Sequence, residues 1–243
     1  MLSMAYGPMP VSVALQRCEE IIRSARSRSR VEASTLCQMA ILQAMALRVQ
    51  DARVNLAESR SIYQELGMSL EAAASSQALA AIEMLAGDPG LAVAELRKDG
   101  DLLGDIGGHA YLVTTELRLA QVLDTLGRHD EARSTAERVG PSIPADDVVG
   151  QAQLASLRVH ALAADGRDRE AEDLARRALT AARATDRFDV FPTALVDLAD
   201  VLSNTHRRVE ALELLDRSRA LHLAKENAAS LAKVEAKRSE LHA

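Results

Sequence analysis

The feature that most restricts what this chain can fold into is an internal period of about 40 residues. The segment Gly127-Arg128-His129-Asp130-Glu131-Ala132 recurs as Gly166-Arg167-Asp168-Arg169-Glu170-Ala171 and as His206-Arg207-Arg208-Val209-Glu210-Ala211. Weaker copies run from Gly87 to Ala92 and from Leu47 to Ala52. The closing alanines at 52, 92, 132, 171 and 211 are spaced by 40, 40, 39 and 40 residues. A second landmark precedes each turn, pairing a large apolar residue with a small one: Met39-Ala40, Leu79-Ala80, Leu119-Ala120 and Leu198-Ala199, with Arg158-Val159 as the degenerate copy. A third follows it, since Gly67 and Gly107 both fall 15 residues after an alanine. Periods of this length belong to stacked supersecondary units, because one unit cannot bury its apolar face alone.

Each unit reads as two antiparallel helices joined by a tight turn. Glycine allows the left-handed backbone that ends the first helix, and the following acid complements the dipole of the second. The small alanine lets the paired helices approach closely. Composition agrees, because only 2% of residues are aromatic and there is no Trp, which disfavours sheet. Twelve helices are expected, near 10–27, 31–48, 51–66, 69–86, 90–104, 109–126, 129–139, 147–164, 168–184, 189–204, 208–224 and 228–241. The longest connection, 140–146, carries Pro141 and Pro144 and reads as a joint, with Asp146 or Asp147 capping the next helix. The predicted architecture is all-α: a right-handed α-solenoid of five to six antiparallel hairpins. Residues 1–9 read as an N-terminal tail and 10–243 as one superhelical domain.

The Gly-x-x-x-Glu-Ala turn with the preceding Leu-Ala pair resembles the tetratricopeptide repeat over about residues 31–225. It departs from that family in its longer period, the usual unit having ~34 residues, and in lacking the consensus aromatics and closing Pro. Enlarged units of this kind resemble the C-terminal helical arrays of actinobacterial signalling proteins that join an ATPase module to a class III nucleotide cyclase or a DNA-binding regulator domain. The stretch Tyr6-Gly7-Pro8-Met9-Pro10-Val11 followed by Arg17-Cys18-Glu19-Glu20 is similar to the segment opening those arrays. The later stretch from Asp146 to Gln151 also resembles it. The resemblance implies a non-catalytic scaffold for protein–protein interaction, a sensory, partner-binding or oligomerising arm. Its alternatives are an accessory region of a cyclase or ATPase, or a DNA-binding regulator.

Chemistry-bearing motifs are few. No Gly-Lys pair exists, so there is no phosphate-binding P-loop, and no cofactor is expected. The six histidines never form a His-Glu-x-x-His pair or take ligand spacing with cysteine, so no metal site is expected. Ser230-Leu231-Ala232-Lys233 matches a Ser-x-x-Lys nucleophile but lacks its companion motifs and reads as surface helix. Cys18 and Cys37 fall level on neighbouring helices and read as core packing. The basic cluster Arg23, Arg26, Arg28 and Arg30 reads as a solvated loop, and Glu116, Asp124, Asp197 and Asp200 as a solvated face. A net charge of −6 argues against nucleic acid. No stretch near ~20 residues is free of charge, which argues against a membrane span. The opening residues lack a basic region and an unbroken apolar core, so no signal peptide is read and a cytoplasmic setting is expected.

The repeat register places an inner wall on the first helix of each unit. Its candidate partner-binding residues are Gln77, Met84, Thr114, Gln121, Asp124, Gln153, Ser156, His160, Thr193, Asp200 and Ser203. No Lys or Asn falls on this wall, so the expected occupant is a weakly polar protein or peptide segment or helix, with Gln77, Gln121 and Gln153 serving its backbone. A homo-oligomer is also consistent with such a wall.

Overall fold

A computed structural model of the chain describes residues 4–185 and 187–242. These form twelve α-helices and no strand among the described residues. A leading helix, α1 (Val11–Ser24), precedes five hairpins. The hairpins are α2 (Arg30–Met45) with α3 (Val49–Glu65), α4 (Ser69–Ala86) with α5 (Gly90–Asp105), and α6 (His109–Thr125) with α7 (His129–Val139). They continue with α8 (Val148–Ala164) and α9 (Asp168–Ala182), then α10 (Phe191–Asn204) and α11 (Arg208–Lys225), and α12 (Ala228–His242) closes the array. The expected boundaries match closely; the clearest shifts are at α1 and α2, which each stop three residues early, α1 where Ala25 turns extended at φ −73°, ψ 153°.

The five period-marking alanines show what the repeat encodes. Ala52, Ala92, Ala171 and Ala211 are fully buried and Ala132 is 3% exposed. Their first-helix counterparts Ala40, Ala80, Ala120, Val159 and Ala199 are buried as well. These small side chains let the paired axes close up, and Leu, Ile and Val fill the space between successive units. The turns take the left-handed backbone at Gly87, Gly127 and Gly166, with φ of 89°, 74° and 71°. Leu47 and His206 occupy the same position in the two copies without glycine, at φ 63° and 61°. A side chain there is strained by about 1–2 kcal/mol. In four of these five copies the residue capping the second helix is an Arg whose guanidinium meets a carboxylate three residues on: Arg48–Asp51, Arg128–Glu131, Arg167–Glu170 and Arg207–Glu210.

Each first helix packs on its own second helix and on the next first helix, so α2, α4, α6, α8 and α10 form an inner layer. Successive second helices make no comparable contact and form the outer, more widely spaced layer. The result is a right-handed superhelix of TPR-like units. The 140–146 connection is packed rather than open. Gly140–Ser142 make a 3₁₀ turn, Ile143 is buried, and the Asp147 carboxylate accepts from the Gly150 amide at 3.0 Å. The Gln151 side chain donates to the carbonyls of Ile143 and Pro144, both at 3.2 Å.

The superhelix meets itself. Helix α12 packs on α2 and α4, and residues 4–9 lie against the end of α11. The fully buried Lys225 ammonium donates to the carbonyls of Met4, Gly7 and Met9 at 3.2, 2.7 and 2.6 Å. Burial, with no carboxylate paired to it among the described residues, pushes Lys225 down to about 8. The Phe188 amide donates to the Tyr6 carbonyl at 2.7 Å, and the Arg187 guanidinium lies 4.4 Å from the centre of the Tyr6 ring. The Glu226 carboxylate accepts from the Ser12 amide at 2.8 Å.

Candidate functional site

The inner layer, closed by α12 and by residues 4–9, borders a central channel in three adjoining compartments that share lining residues. The first, about 220 Å³, is lined by Met84, Gln121, Asp124, Gln153, Ser156, His160 and Thr193 among others. The second, about 540 Å³, is lined by Gln77, Thr114 and again Gln153, together with Tyr63, Tyr111 and Arg187. The third, about 400 Å³, shares Met84 and Thr193 with the first and reaches across to α12. Asp200 lies beside this third compartment bound to Lys237, and Ser203 is half-buried on α10 outside all three.

The acidic residues are not a solvated face. His160 on α8 sits between two of them: its Nδ1 is 2.5 Å from Asp124 Oδ2 on α6, and its Nε2 is 3.1 Å from Asp197 Oδ1 on α10. Asp197 is 6% exposed. A carboxylate at each ring nitrogen leaves the imidazolium, with two N–H donors, as the form that satisfies both. Burial alone would lower the imidazole, but the hydrogen bonds to Asp124 and Asp197 outweigh it and raise His160 to about 10. Asp124 is likewise subject to burial that would raise it, yet donors from His160 and His129 hold it below its ordinary value. Asp200 is raised, chiefly by burial, against the opposing pull of Lys237 at 2.7 Å. Glu116 is paired with Arg138.

These contacts share one spacing. Asp124 to His160 is 36 residues, His160 to Asp197 is 37, Asp200 to Lys237 is 37, and Gln77 to Thr114 is 37. Stacked first helices therefore touch at one period less about one helical turn, which is the tilt of each helix against the next. Reading equivalent positions at 40 misses these pairs; reading at 36–37 finds them.

The wall also differs from its expected composition. Asn227, Lys233 and Lys237 line the third compartment, because α12 crosses the mouth of the array and is invisible to a register built on first helices. Lys233 donates to the Met84 carbonyl. The Gln77 amide is already engaged, donating to Thr114 Oγ1 and Thr115 Oγ1 at 2.9 Å each. By contrast the side-chain oxygen of Gln121 is buried without a hydrogen-bond partner among the described residues. Arg118, one turn before Gln121 and absent from the expected wall, lines all three compartments. Cys18 and Cys37 join one apolar cluster, and burial pushes both thiols up to about 11, so they behave as packing residues. Arg28 in the basic loop pairs with Glu58 and Glu65 of α3. No helix among the described residues is long and apolar enough to cross a membrane, and no group of three or more His, Cys, Asp or Glu among them is placed to hold a metal ion.

The fold is that of TPR-like solenoid proteins. The chain superposes on NprR in complex with its cognate peptide NprX at a TM-score of 0.71, with 16% identity, over 95% of this chain and 68% of that one. Against the apo form of the quorum sensor NprR from B. thuringiensis the TM-score is 0.55, at 15% identity over 95% and 65%. BtubC (BKLC) from P. vanneervenii matches at 0.57, with 14% identity over 88% and 89%. No protein-family model and no curated protein sequence matches the chain.

Proposed function

We propose that this chain is a non-catalytic interaction scaffold that takes an extended peptide segment into its central channel. The observation that carries the reading is a connected interior, lined by the inner helices of all five units with apolar side chains and a few polar ones such as Gln77, Gln121 and Gln153. Pockets that hold ligands combine apolar walls with a few polar groups of this kind. The closer fit to the peptide-bound form of NprR than to its apo form supports the same reading, since both comparisons cover 95% of this chain. The inner wall would then serve as the sensory arm of a signalling or transcription-regulatory protein, peptide binding shifting an attached module between states. The enlarged repeat supports that context through its resemblance to regulator arrays.

The test is affinity selection from a random heptapeptide library, with the retained peptides read by mass spectrometry after size exclusion. The wild-type chain is compared with a Gln153→Trp, Thr193→Trp variant that fills the shared compartment walls. Retention by the wild type and its loss in a variant of unchanged helicity is the expected result. Equal retention by both would refute the channel as the binding surface, and nucleotide turnover or cyclisation above background would sink the non-catalytic reading.

A further inference from the structure

Eleven residues after each period-marking alanine the chain places a buried residue: Tyr63, Leu103, Ile143, Ala182 and His222. Leu103, Ile143 and Ala182 are apolar and Tyr63 largely so, which shows that the frame needs no polar ring at this position. His222 is 8% exposed, and its Nδ1 is buried without a hydrogen-bond partner among the described residues. Its ring packs edge-on against Phe188, with 6.5 Å between centroids. Burial, with no charge or hydrogen bond acting on it, pushes the imidazole down to about 4 and keeps it neutral. A buried polar ring with nothing to bond destabilises the fold where an apolar side chain would not. That ring lines the third compartment.

The compartment around it is chiefly aliphatic, with Ile41, Met45, Leu85, Val196 and Val234 on its wall. At about 400 Å³ it falls within the ~300–1,000 Å³ of small-molecule sites, which pair apolar walls with a few placed polar groups. Asn227, 5% exposed on the same wall, accepts from the Ser230 amide at 3.0 Å through its carboxamide oxygen, which leaves its NH2 group as a donor. Of the charged groups there, Lys237 is held by Asp200, Asp189 by Arg187, and Lys233 by the Met84 carbonyl, while Arg118 stands at the wall shared with the other two compartments. A ligand that reaches His222 therefore meets aliphatic surface and a neutral ring, where a charge would be desolvated without compensation. We infer that the third compartment is a site for a small uncharged amphiphile, an aliphatic molecule whose one hydroxyl or carbonyl group hydrogen-bonds to the His222 imidazole. The neutral ring offers one donor and one acceptor nitrogen, so it serves either group. This site does not depend on a peptide entering the other compartments.

Isothermal titration of the full chain with 1-octanol, 2-octanone, octanoate and octylammonium tests the inference. The two uncharged probes are expected to bind at least about tenfold more tightly than the two ions, a ratio that one buried neutral hydrogen bond and the avoided burial of a charge supply. His222→Phe keeps an aromatic ring but removes both nitrogens; it is expected to weaken 1-octanol about tenfold at unchanged helicity, and His222→Gln to restore part of the loss. Val196→Trp, which fills the compartment, is expected to abolish binding. In the wild type, 1-octanol is expected to move the 15N resonances of the His222 ring, a readout that needs no variant to fold. Octanoate or octylammonium binding as tightly as 1-octanol overturns the inference, as does failure of all four probes to bind. Undiminished 1-octanol binding by His222→Phe or Val196→Trp, or a His222 ring whose 15N resonances stay in place, overturns it equally.

Discussion

The outer layer and the inner channel use the same ionic chemistry to opposite ends. On the outside the Arg and acid pairs at 48/51, 128/131, 167/170 and 207/210 repeat with the period and lie in solvent, with Glu131 also reaching Arg97 and Arg207 reaching Glu172 of the preceding unit. Exposed pairs of this kind contribute little to stability. In the channel and at the junction of the two ends the pairs do not repeat: Asp124–His160–Asp197 occurs once, Asp200–Lys237 once, and Lys225 with its three carbonyls once. They are partly or wholly buried, and each joins different units or the two ends of the array. What repeats builds the frame, and what fails to repeat gives the interior its character.

The largest break in that contrast is expected at Lys225. Lys225→Met leaves the carbonyls of Met4, Gly7 and Met9 without their donor and should cost about 2 kcal/mol. Its diagnostic is hydrogen exchange at the Phe188 amide, which is bonded to Tyr6 across the same junction. Unchanged protection of that amide would mean that Lys225 does not hold the junction.

His160→Gln should have the next largest effect. Removing the imidazolium leaves Asp124 and Asp197 facing one another without a shared cation, worth about 1 kcal/mol once the partial exposure of the site is allowed for. The pH dependence fixes the sign. His160 stays protonated in the fold to about 10 but only to the ordinary 6.5 when unfolded, so its contribution is complete below pH 6.5 and fades as pH climbs toward 10. Lys225, lowered to about 8 from 10.5, works the other way between those values. The difference between wild type and His160→Gln, followed by denaturant melts from pH 6 to 10, isolates the histidine. A difference independent of pH would remove it from the account.

The smallest effect sharpens the frame rather than the channel. His206→Gly restores glycine to a turn where the side chain sits at φ 61°, and should stabilise by about 0.5–1 kcal/mol after the greater freedom of glycine in the unfolded chain is subtracted. A lower Tm would show that the His206 side chain contributes more than its backbone strain costs.

The frame was legible in the sequence because it is periodic: Ala52, Ala92, Ala132, Ala171 and Ala211 recur at the spacing that two packed helices require, and each is buried. The channel was legible only in part. Gln121, Asp124, Gln153, Ser156 and His160 follow from the first-helix register and do share a compartment. The pairings among them were hidden because helices tilt, so touching residues are 36–37 apart instead of 40. Arg118 was passed over for a related reason, since it lies one turn from the positions that flank the Leu-Ala pair. The entry of Lys233 and Lys237 follows from the summed rotation of five units, a property of the whole array that no single repeat records.

The junction held by Lys225 bears on how the molecule comes apart. Arrays of stacked repeats ordinarily unfold piecemeal, fraying from an end because each unit touches its neighbours alone. Here Met4, Gly7 and Met9 are tied to a residue between 216 and 221 positions away, so neither end can peel without breaking contacts to the other. A chain whose architecture is local at every step thereby acquires one long-range closure. That closure makes the array lose its structure as a single cooperative unit, and makes its folding wait for a contact of very high sequence separation.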